Sequence, residues 1–320
     1  MQRPPARPLA VQAAASVVMV RPHRFHPNPE TAADNSFQRP ARGRAADIAA
    51  AAYREVSTVA EHLQAEGVRV HLFEDPGDRR TPDSVFPNNW FSTHAGGHVA
   101  LYPMYAPSRR RERRCDVIDM LKSSYRVQAV IDYSGLEPDG RFLEGTGAMV
   151  FDHLARVAYV ARSRRADLVA LERFCTHFQY EPMLFEAVDS GGCPIYHTNV
   201  LMCIATGFAL VGFGAFVDRR RAAEVRARLR DCGREVIALG ASQIDAFAGN
   251  ALELSGREGR LLALSRRAFA SLQREQRQAI ERSARLLPLD VPTIELAGGS
   301  VRCMLADIHL APRDPAASGC

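Results

Sequence analysis

The order strand, strand, helix, strand recurs along this chain with a period of about 50 residues, and this repeat limits the fold more than any other feature. Copies are predicted over residues 98–131, 148–188, 200–239 and 251–289. A fifth copy forms if the strand after Cys303 pairs with the N-terminal strand near Val18, ahead of a predicted helix over 45–66 and a strand over 68–73. Joining the first and last strands would close a ring and remove exposed sheet edges. The sequence therefore predicts an α/β fold, a five-bladed ββαβ propeller with pseudo-fivefold symmetry and a pocket on its axis.

The composition indicates a soluble globular protein, with 47% hydrophobic and 24% charged residues among 320. The net charge of +5 is too small to indicate a nucleic-acid partner, and no window of about 18 apolar residues predicts a membrane span. We predict one domain over residues 16–312 between flexible ends at 1–15 and 313–320. The first of these ends is rich in Pro and Ala, so an Ala-rich cleavage site remains open.

The seven cysteines have no regular spacing. This argues against a disulfide framework and for a reducing compartment, so a cytoplasmic location is predicted. Neither a CxxC pair nor an HExxH helix occurs, so we expect no metal centre and no cofactor. Homo-oligomerisation is left open by the sequence.

The segment LAGGSVRCML at 296–305 is the strongest candidate for chemistry. Its Gly-Gly pair allows a tight bend and a close approach to a ligand. Cys303 follows the bend at the head of an apolar run that we predict as a strand, an arrangement that suits a nucleophile at the mouth of a pocket. A free cysteine is also commonly a small buried hydrophobe, so the segment alone leaves both interpretations open.

Other polar motifs stand near the predicted starts of the repeats. They are PDSVFPNNWF at 82–91, LEGTG at 143–147 and YHTN at 196–199. Because Pro87 cannot donate to a sheet ladder, we expect a strand to stop there. The five positions that we expect to face one axis are Asn89, Glu144, His197, Asn250 and Cys303. A Glu, a His and a Cys that meet in space suit nucleophilic catalysis.

These motifs together resemble the guanidine-modifying, or pentein, superfamily of arginine deiminases, dimethylarginine hydrolases and amidinotransferases. The resemblance runs over residues 16–310 and is closest to the arginine-deiminase-related group that includes citrulline-utilisation hydrolases. It implies that Cys303 is the nucleophile, His197 the general acid and base, and Glu144 its acidic partner. An imidazolium at His197 would favour the thiolate of Cys303, which is the attacking form.

The resemblance also implies a set of substrate-binding residues. Asp83 matches a substrate-contacting Asp, and Asn89 falls where many members have an Asp. Arg109, in APSRRRE, matches a carboxylate clamp, and Arg165 a second family arginine. Asn199 stands where arginine deiminases carry an Asp. The polar loop over 25–38, with Asn28, Asn35 and Gln38, is either a substrate lid or a plain loop.

Two amides in place of acids favour a neutral ureido group over a cationic guanidinium, because burying a cation with fewer counter-charges is costly. We therefore predict a hydrolase that converts the amino acid citrulline to ornithine, CO2 and ammonia. The alternatives are an arginine deiminase, a dimethylarginine hydrolase or an amidinotransferase. An alternative of another class is a non-catalytic binding module of the same fold, in which the basic segment 109–114 contacts RNA.

Overall fold

Residues 11–313 are described in the computed structural model of the chain. Their strands, numbered β1 to β15 in chain order, are Ser16–Pro22, Arg69–Asp75, Phe91–His94, His98–Leu101, Ala129–Asp132, Met149–Asp152, Val157–Ala161, Glu181–Phe185, Met202–Ile204, Phe208–Val211, Glu235–Ala238, Leu252–Gly256, Gly259–Ser265, Arg285–Leu289 and Ala306–Asp307. Their α-helices, numbered α1 to α10, are Ala45–Ala65, Pro107–Arg110, Cys115–Ser124, Gly145–Ala148, Leu168–Phe178, Arg219–Asp231, Ala241–Asp245, Arg266–Ser271, Arg274–Glu281 and Val301–Met304. Short 3-10 helices occupy Pro87–Asn89, Ser134–Asp139, Thr198–Val200, Phe213–Ala215 and Ile294–Ala297.

The described strands form five separate three-stranded sheets that share one topology. In each sheet the central strand pairs antiparallel with one neighbour and parallel with the other. A parallel pair needs a crossover, and helices supply it, as α1 does between β1 and β2.

The predicted pairing of the chain ends is confirmed. Strand β15 lies antiparallel to β1, with Ala306 opposite Val18. On the other side of β1, Val70 of β2 lies opposite Val17 in a parallel pair. One sheet therefore joins the two ends of the described chain and leaves neither end strand unpaired.

In each sheet we call the strand that lies antiparallel to the central strand the inner strand; these are β3, β6, β9, β12 and β15. Inner strands of different sheets contact one another, as β15 does with β3 and β9 does with β6 and β12. Strands β3, β6 and β9 are buried along their whole length because both of their faces are covered. The longer helices bury one stripe only, as α6 does with Val225 and Leu229. No helix within residues 11–313 is long and apolar enough to cross a bilayer.

The predicted flexible ends fall largely outside the described residues. The described part of the N-terminal end, from Gln12 onward, is packed against the sheets and does not form a free extension. The buried Gln12 amide donates to the carbonyls of Phe151 and Ile204 and accepts from the backbone of His153. Ala14 forms an isolated bridge with Leu254.

Two local predictions are wrong in detail. Residues 108–123 begin with a basic run and continue with an apolar face, a pattern that predicts one helix. The structure divides this segment into α2 and α3, because Arg114 between them is extended and the neighbouring Arg113 pairs with Glu137. The strand expected to stop at Pro87 instead begins after it. Pro87 opens a helical turn, a position that does not need its missing N–H, and β3 follows that turn.

Candidate active site

A short helical turn stands directly before the inner strand of several sheets and presents the candidate side chains. Asn89 ends the turn Pro87–Asn89, and Cys303 lies in α10. Glu144 is the residue directly before α4, and His197 is the residue directly before Thr198–Val200. Cys303 itself lies in a helical turn, and the strand predicted after it is β15, which begins at Ala306. Because each turn directly precedes an inner strand, the side chains converge at the end where those strands begin.

Glycines allow these turns to approach each other closely. Gly298 has φ +81°, a conformation that residues with a side chain rarely adopt. A Cβ at Gly147 would lie 2.7 Å from His197 Nδ1 and would also collide with the Asn89 amide. The glycines of LEGTG and LAGGSVRCML thus make room for the polar side chains beside them.

Cys303 and His197 line one narrow cavity. The other lining residues are Thr31, Asn35, Asp83, Phe86, Asn89, Arg109, Arg165, Tyr196, Ala297 and Gly299. Larger cavities open elsewhere on the surface of the described chain, but their linings do not include the Cys303–His197 pair. We therefore take the narrow cavity as the candidate site.

His197 and Glu144 form a buried acid–base pair. His197 Nε2 lies 2.8 Å from a Glu144 oxygen, so Nε2 carries the proton and Nδ1 is left as the free base. Burial lowers the pKa of His197 to about 4, although the hydrogen bond to Glu144 acts in the opposite direction. Burial also disfavours the charge on Glu144, but Arg165, His197 and Arg109 outweigh it and hold the pKa of Glu144 well below its usual range.

The lowered pKa of His197 favours a neutral ring near pH 7 in the ligand-free site, and an imidazolium during the reaction stays a prediction. The sulfur of Cys303 has different polar neighbours. Asn250 Nδ2 lies 3.2 Å and Asn199 Nδ2 3.4 Å from Sγ, both at hydrogen-bonding distance for sulfur. Both N–H groups can donate to Sγ when it carries negative charge during attack, and Asn199 Oδ1, 3.7 Å away, can accept from the thiol.

The two arginines are held by protein groups. Four of the five Arg109 donors are occupied, two by Glu112, one by the Asn89 amide oxygen and one by the Phe86 carbonyl. Arg109 therefore has no free fork for a ligand carboxylate in this arrangement, and its predicted role as a carboxylate clamp stays a prediction. Arg165 makes a two-pronged contact with Asp34 of the 25–38 loop and a third contact with Glu144.

Among the buried polar atoms that have no partner within residues 11–313, two belong to residues that line this cavity, and they are of opposite kind. Asp83 Oδ1 is an unpaired acceptor, while its other oxygen accepts from Asn28. Asn89 Nδ2 is an unpaired donor, because its oxygen already accepts from Arg109. Both residues line the same cavity as Cys303. Unsatisfied buried groups are costly, so these two atoms mark places where a ligand can supply partners.

The sequence model of one protein family, described as N,N dimethylarginine dimethylhydrolase, eukaryotic, matches residues 21–310. The chain belongs to this dimethylarginine dimethylhydrolase family. Its membership also places it in the pentein superfamily that the motifs resemble, and it is a hydrolase of carbon–nitrogen bonds other than peptide bonds. A comparison with curated protein sequences gives no match.

Solved structures share the fold of this dimethylarginine dimethylhydrolase family member. The N-terminal domain of ArgZ, an arginine dihydrolase of the ornithine–ammonia cycle in Cyanobacteria, was solved as a mutant with bound substrate; it is 17% identical, with a TM-score of 0.70 over 92% of this chain and 98% of that one. A mutant of AgrE with L-arginine is 15% identical, with a TM-score of 0.70 over 94% of this chain and 41% of the longer AgrE chain. An adduct of dimethylarginine dimethylaminohydrolase with 4-chloro-2-hydroxymethylpyridine is 13% identical, with a TM-score of 0.62 over 92% of this chain and 100% of that one. These identities establish the shared fold alone.

The dimethylarginine dimethylhydrolase family member brings all eight predicted site residues to one place. Six line the cavity, and the remaining two, Glu144 and Asn199, contact His197 and Cys303. Sequence reasoning expected Asn250 to face the axis but assigned it no role at the sulfur. It left Asn28 open as part of a lid or a plain loop, and it missed Asp34. The position of Asn250 before an inner strand was a usable signal for it, whereas Asp34 and Asn28 lie in a loop without any repeat pattern to mark them.

Proposed function

We propose that the chain is a cysteine-dependent hydrolase that removes ammonia from the guanidino group of arginine and then hydrolyses the ureido group of the citrulline formed. The observation that carries the proposal is the unpaired pair of atoms, Asp83 Oδ1 and Asn89 Nδ2, beside Cys303. An acceptor suits the N–H groups of a guanidinium, and an amide donor suits the C=O of a ureido group. One site can therefore hold both compounds in turn.

The charges of the cavity support a cationic first substrate. Four carboxylates stand on or beside the two arginines, those of Asp34, Asp83, Glu112 and Glu144. Burial raises the pKa of Glu112 to about 8. With Glu112 and His197 both neutral, the other three carboxylates still outnumber the two arginines by one. The argument that fewer counter-charges favour citrulline over arginine therefore does not hold by itself. Burial raises the pKa of Asp83 despite Arg109 nearby, and a bound guanidinium would offset that cost.

In the first half-reaction, Sγ of Cys303 attacks the guanidino carbon while the free Nδ1 of His197 takes the thiol proton. The new C–S bond makes the carbon tetrahedral, the C–N bond to the terminal nitrogen breaks, and His197 returns the proton to the departing ammonia. The remaining group is a cationic thiouronium on Cys303. Glu144 stabilises the imidazolium that His197 becomes during the transfer.

In the second half-reaction, water attacks the same carbon, His197 takes a proton from it, and the C–S bond breaks to release citrulline and the thiol. The sum is arginine plus water to citrulline plus ammonia. A second round on the ureido carbon consumes another water and yields ornithine, CO2 and ammonia. For this round we propose that Asn89 Nδ2 holds the ureido oxygen, and that Arg165 exchanges Asp34 for the substrate α-carboxylate.

The test supplies L-arginine, L-citrulline and Nω,Nω-dimethylarginine separately, with and without an acceptor amine, and measures ammonia, dimethylamine, citrulline and ornithine. The proposal expects ornithine from arginine and from citrulline, and no product with Cys303→Ala. Cys203→Ala, at a buried cysteine outside the lining of the site, is the matched control that stays active. If arginine is converted to citrulline and no further, the proposal is contradicted and the protein is an arginine deiminase. If dimethylamine is the sole amine product, the proposal is contradicted and the protein is a dimethylarginine hydrolase.

We also propose that the five sheets stand around one axis as the blades of a ββαβ propeller and that residues 16–312 are a single domain. The contacts between inner strands and the shared sheet at the chain ends support this arrangement. A cytoplasmic location is proposed on the free state of the six described cysteines. Limited proteolysis that yields one resistant core, and thiol labelling of protein made in cells, test these two proposals.

A further inference from the structure

A cluster of two histidines and one aspartate lies at the far end of the inner strands from Cys303. His153 follows β6, Asp307 ends β15 and His309 comes two residues later. One ligand atom from each residue lies within 4.8 Å of the other two. In a tetrahedral site with bonds of roughly 2.1 Å, ligand atoms stand about 3.3 Å apart. The three atoms thus need only a small inward movement to share one ion.

The surroundings of the cluster resemble the outer shell of a metal site. His153 Nδ1 lies 2.8 Å from the Tyr180 hydroxyl, which leaves Nε2 for a ligand. One Asp307 oxygen is 2.9 Å from His309 Nε2, and Arg302 lies 3.3 Å from the other oxygen. Ligating histidines commonly bond through their second nitrogen, and ligating carboxylates are commonly hydrogen bonded. The cluster therefore has both features.

A small cavity of about 20 Å³, room for about one water molecule, adjoins the cluster and is lined by His153, Asp307 and Arg302. Its other lining residues are inner-strand residues of three further sheets and Gln12. Two protein nitrogens, one carboxylate oxygen and an adjoining space for water match the three-ligand sites that Zn²⁺ occupies with one open position. The ring centroids of His153 and His309 are 3.9 Å apart, so the two imidazoles are already side by side.

We propose that His153, Asp307 and His309 form a binding site for Zn²⁺ that is separate from the Cys303 cavity. The ion would join the end of β6 to the end of β15, and thereby tie the last described strand to the middle of the chain. Such an ion binds the folded chain and not the unfolded one, so it stabilises the fold in proportion to its concentration. The proposal is independent of the substrate proposed above.

The test uses the full chain carrying Cys303→Ser, because the active-site thiol could otherwise hold the ion. The protein is stripped with a chelator and titrated with Zn²⁺ in a calorimeter, and its melting temperature is measured with and without the ion. The site predicts one equivalent of bound Zn²⁺ and a rise of roughly 5 °C at a hundredfold excess over Kd. Absence of binding in this protein overturns the proposal.

Substitutions then locate the ion. Asp307→Asn and His309→Gln are expected to abolish both the binding and the Zn²⁺-dependent part of the melting shift. The matched control His177→Asn, at an exposed histidine bonded to Tyr133, is expected to keep both. Binding unchanged in Asp307→Asn and His309→Gln contradicts the assignment.

Cobalt provides a readout that does not depend on those variants folding. Co²⁺ added to the stripped Cys303→Ser protein should show visible bands of a nitrogen and oxygen ligand set. A sulfur-to-cobalt charge-transfer band would place the ion on other cysteines and overturn the assignment to the histidine–aspartate cluster.

Discussion

Glu144→Gln tests the acid–base pair most sharply, because the substitution keeps the size of the side chain and removes its charge. One Glu144 oxygen accepts from His197 at 2.8 Å and Arg165 at 3.3 Å, and the other accepts from the Tyr105 backbone at 3.0 Å. A carboxylate can accept on both sides, whereas an amide has one donor end. In either orientation the NH2 group of Gln faces an N–H donor.

The magnitude follows from burial. Glu144 is fully buried, and its carboxylate forms ion pairs with Arg109 and Arg165 and contacts His197. Removing one partner of a buried ion pair costs about 3–5 kcal/mol of folding stability. For catalysis, the imidazolium formed at His197 loses its counter-charge, and a comparable change in a catalytic triad lowers kcat roughly 10⁴-fold. We expect a fall in kcat of roughly 10³- to 10⁴-fold for arginine and for citrulline.

The assay measures ammonia release at saturating substrate and unfolding by urea for the native and variant proteins. Glu253→Gln is the matched control, since Glu253 is equally buried but bonds Thr206 far from the cavity. That control should lose stability and keep its kcat. A Glu144→Gln protein that folds and retains kcat within about tenfold of the native value would refute the assigned role.

Four further outcomes are expected. Asp83→Asn should lower kcat/KM for arginine roughly 100-fold while changing that for citrulline less than tenfold, because only the cation needs the charge; equal losses in paired kinetics would contradict this. Below pH 6.5, His197 binds a proton in the unfolded chain but not in the folded chain, where its pKa is about 4. Urea unfolding should therefore show about 3 kcal/mol of stability lost as the pH falls from 6.5 to 4. A His197→Gln protein should not show this loss. Asn250→Ala removes a donor at 3.2 Å from Sγ, so alkylation of Cys303 by iodoacetamide at pH 7 should slow about tenfold, and an unchanged rate counts against thiolate stabilisation by the amide. Gly147→Ala should abolish turnover because its methyl group would lie 2.7 Å from His197 Nδ1, and full activity would show that this approach is not needed.

Much of the fold was predictable from local periodicity. The recurring strands and helices are visible in hydrophobic patterning, and the pairing of β15 with β1 followed from the absence of a partner for either strand in its own repeat. The division of the helix over 108–123 was not predictable, because it depends on Glu137, a distant residue that draws Arg113 inward. Local propensity carries no information about such a partner.

The candidate site, like the fold, has features that the sequence predicts and features that it does not. Motifs at the starts of the repeats predicted which side chains converge, and their catalytic roles remain predictions. The charge state of His197 and the pairing of Arg109 with Glu112 depend on burial and on neighbours from other sheets. The resemblance therefore suggested residue identities correctly placed in space, but it could not show that Arg109 lacks a free fork or that Asn250 reaches the sulfur.

The most direct test of the account is the mass of the protein quenched during turnover of arginine. The account predicts an adduct equal to arginine less ammonia, mapped by peptide analysis to Cys303 and absent from Cys303→Ala. An unmodified Cys303 during steady turnover, or an adduct on any other cysteine, would contradict the central claim that this sulfur is the nucleophile.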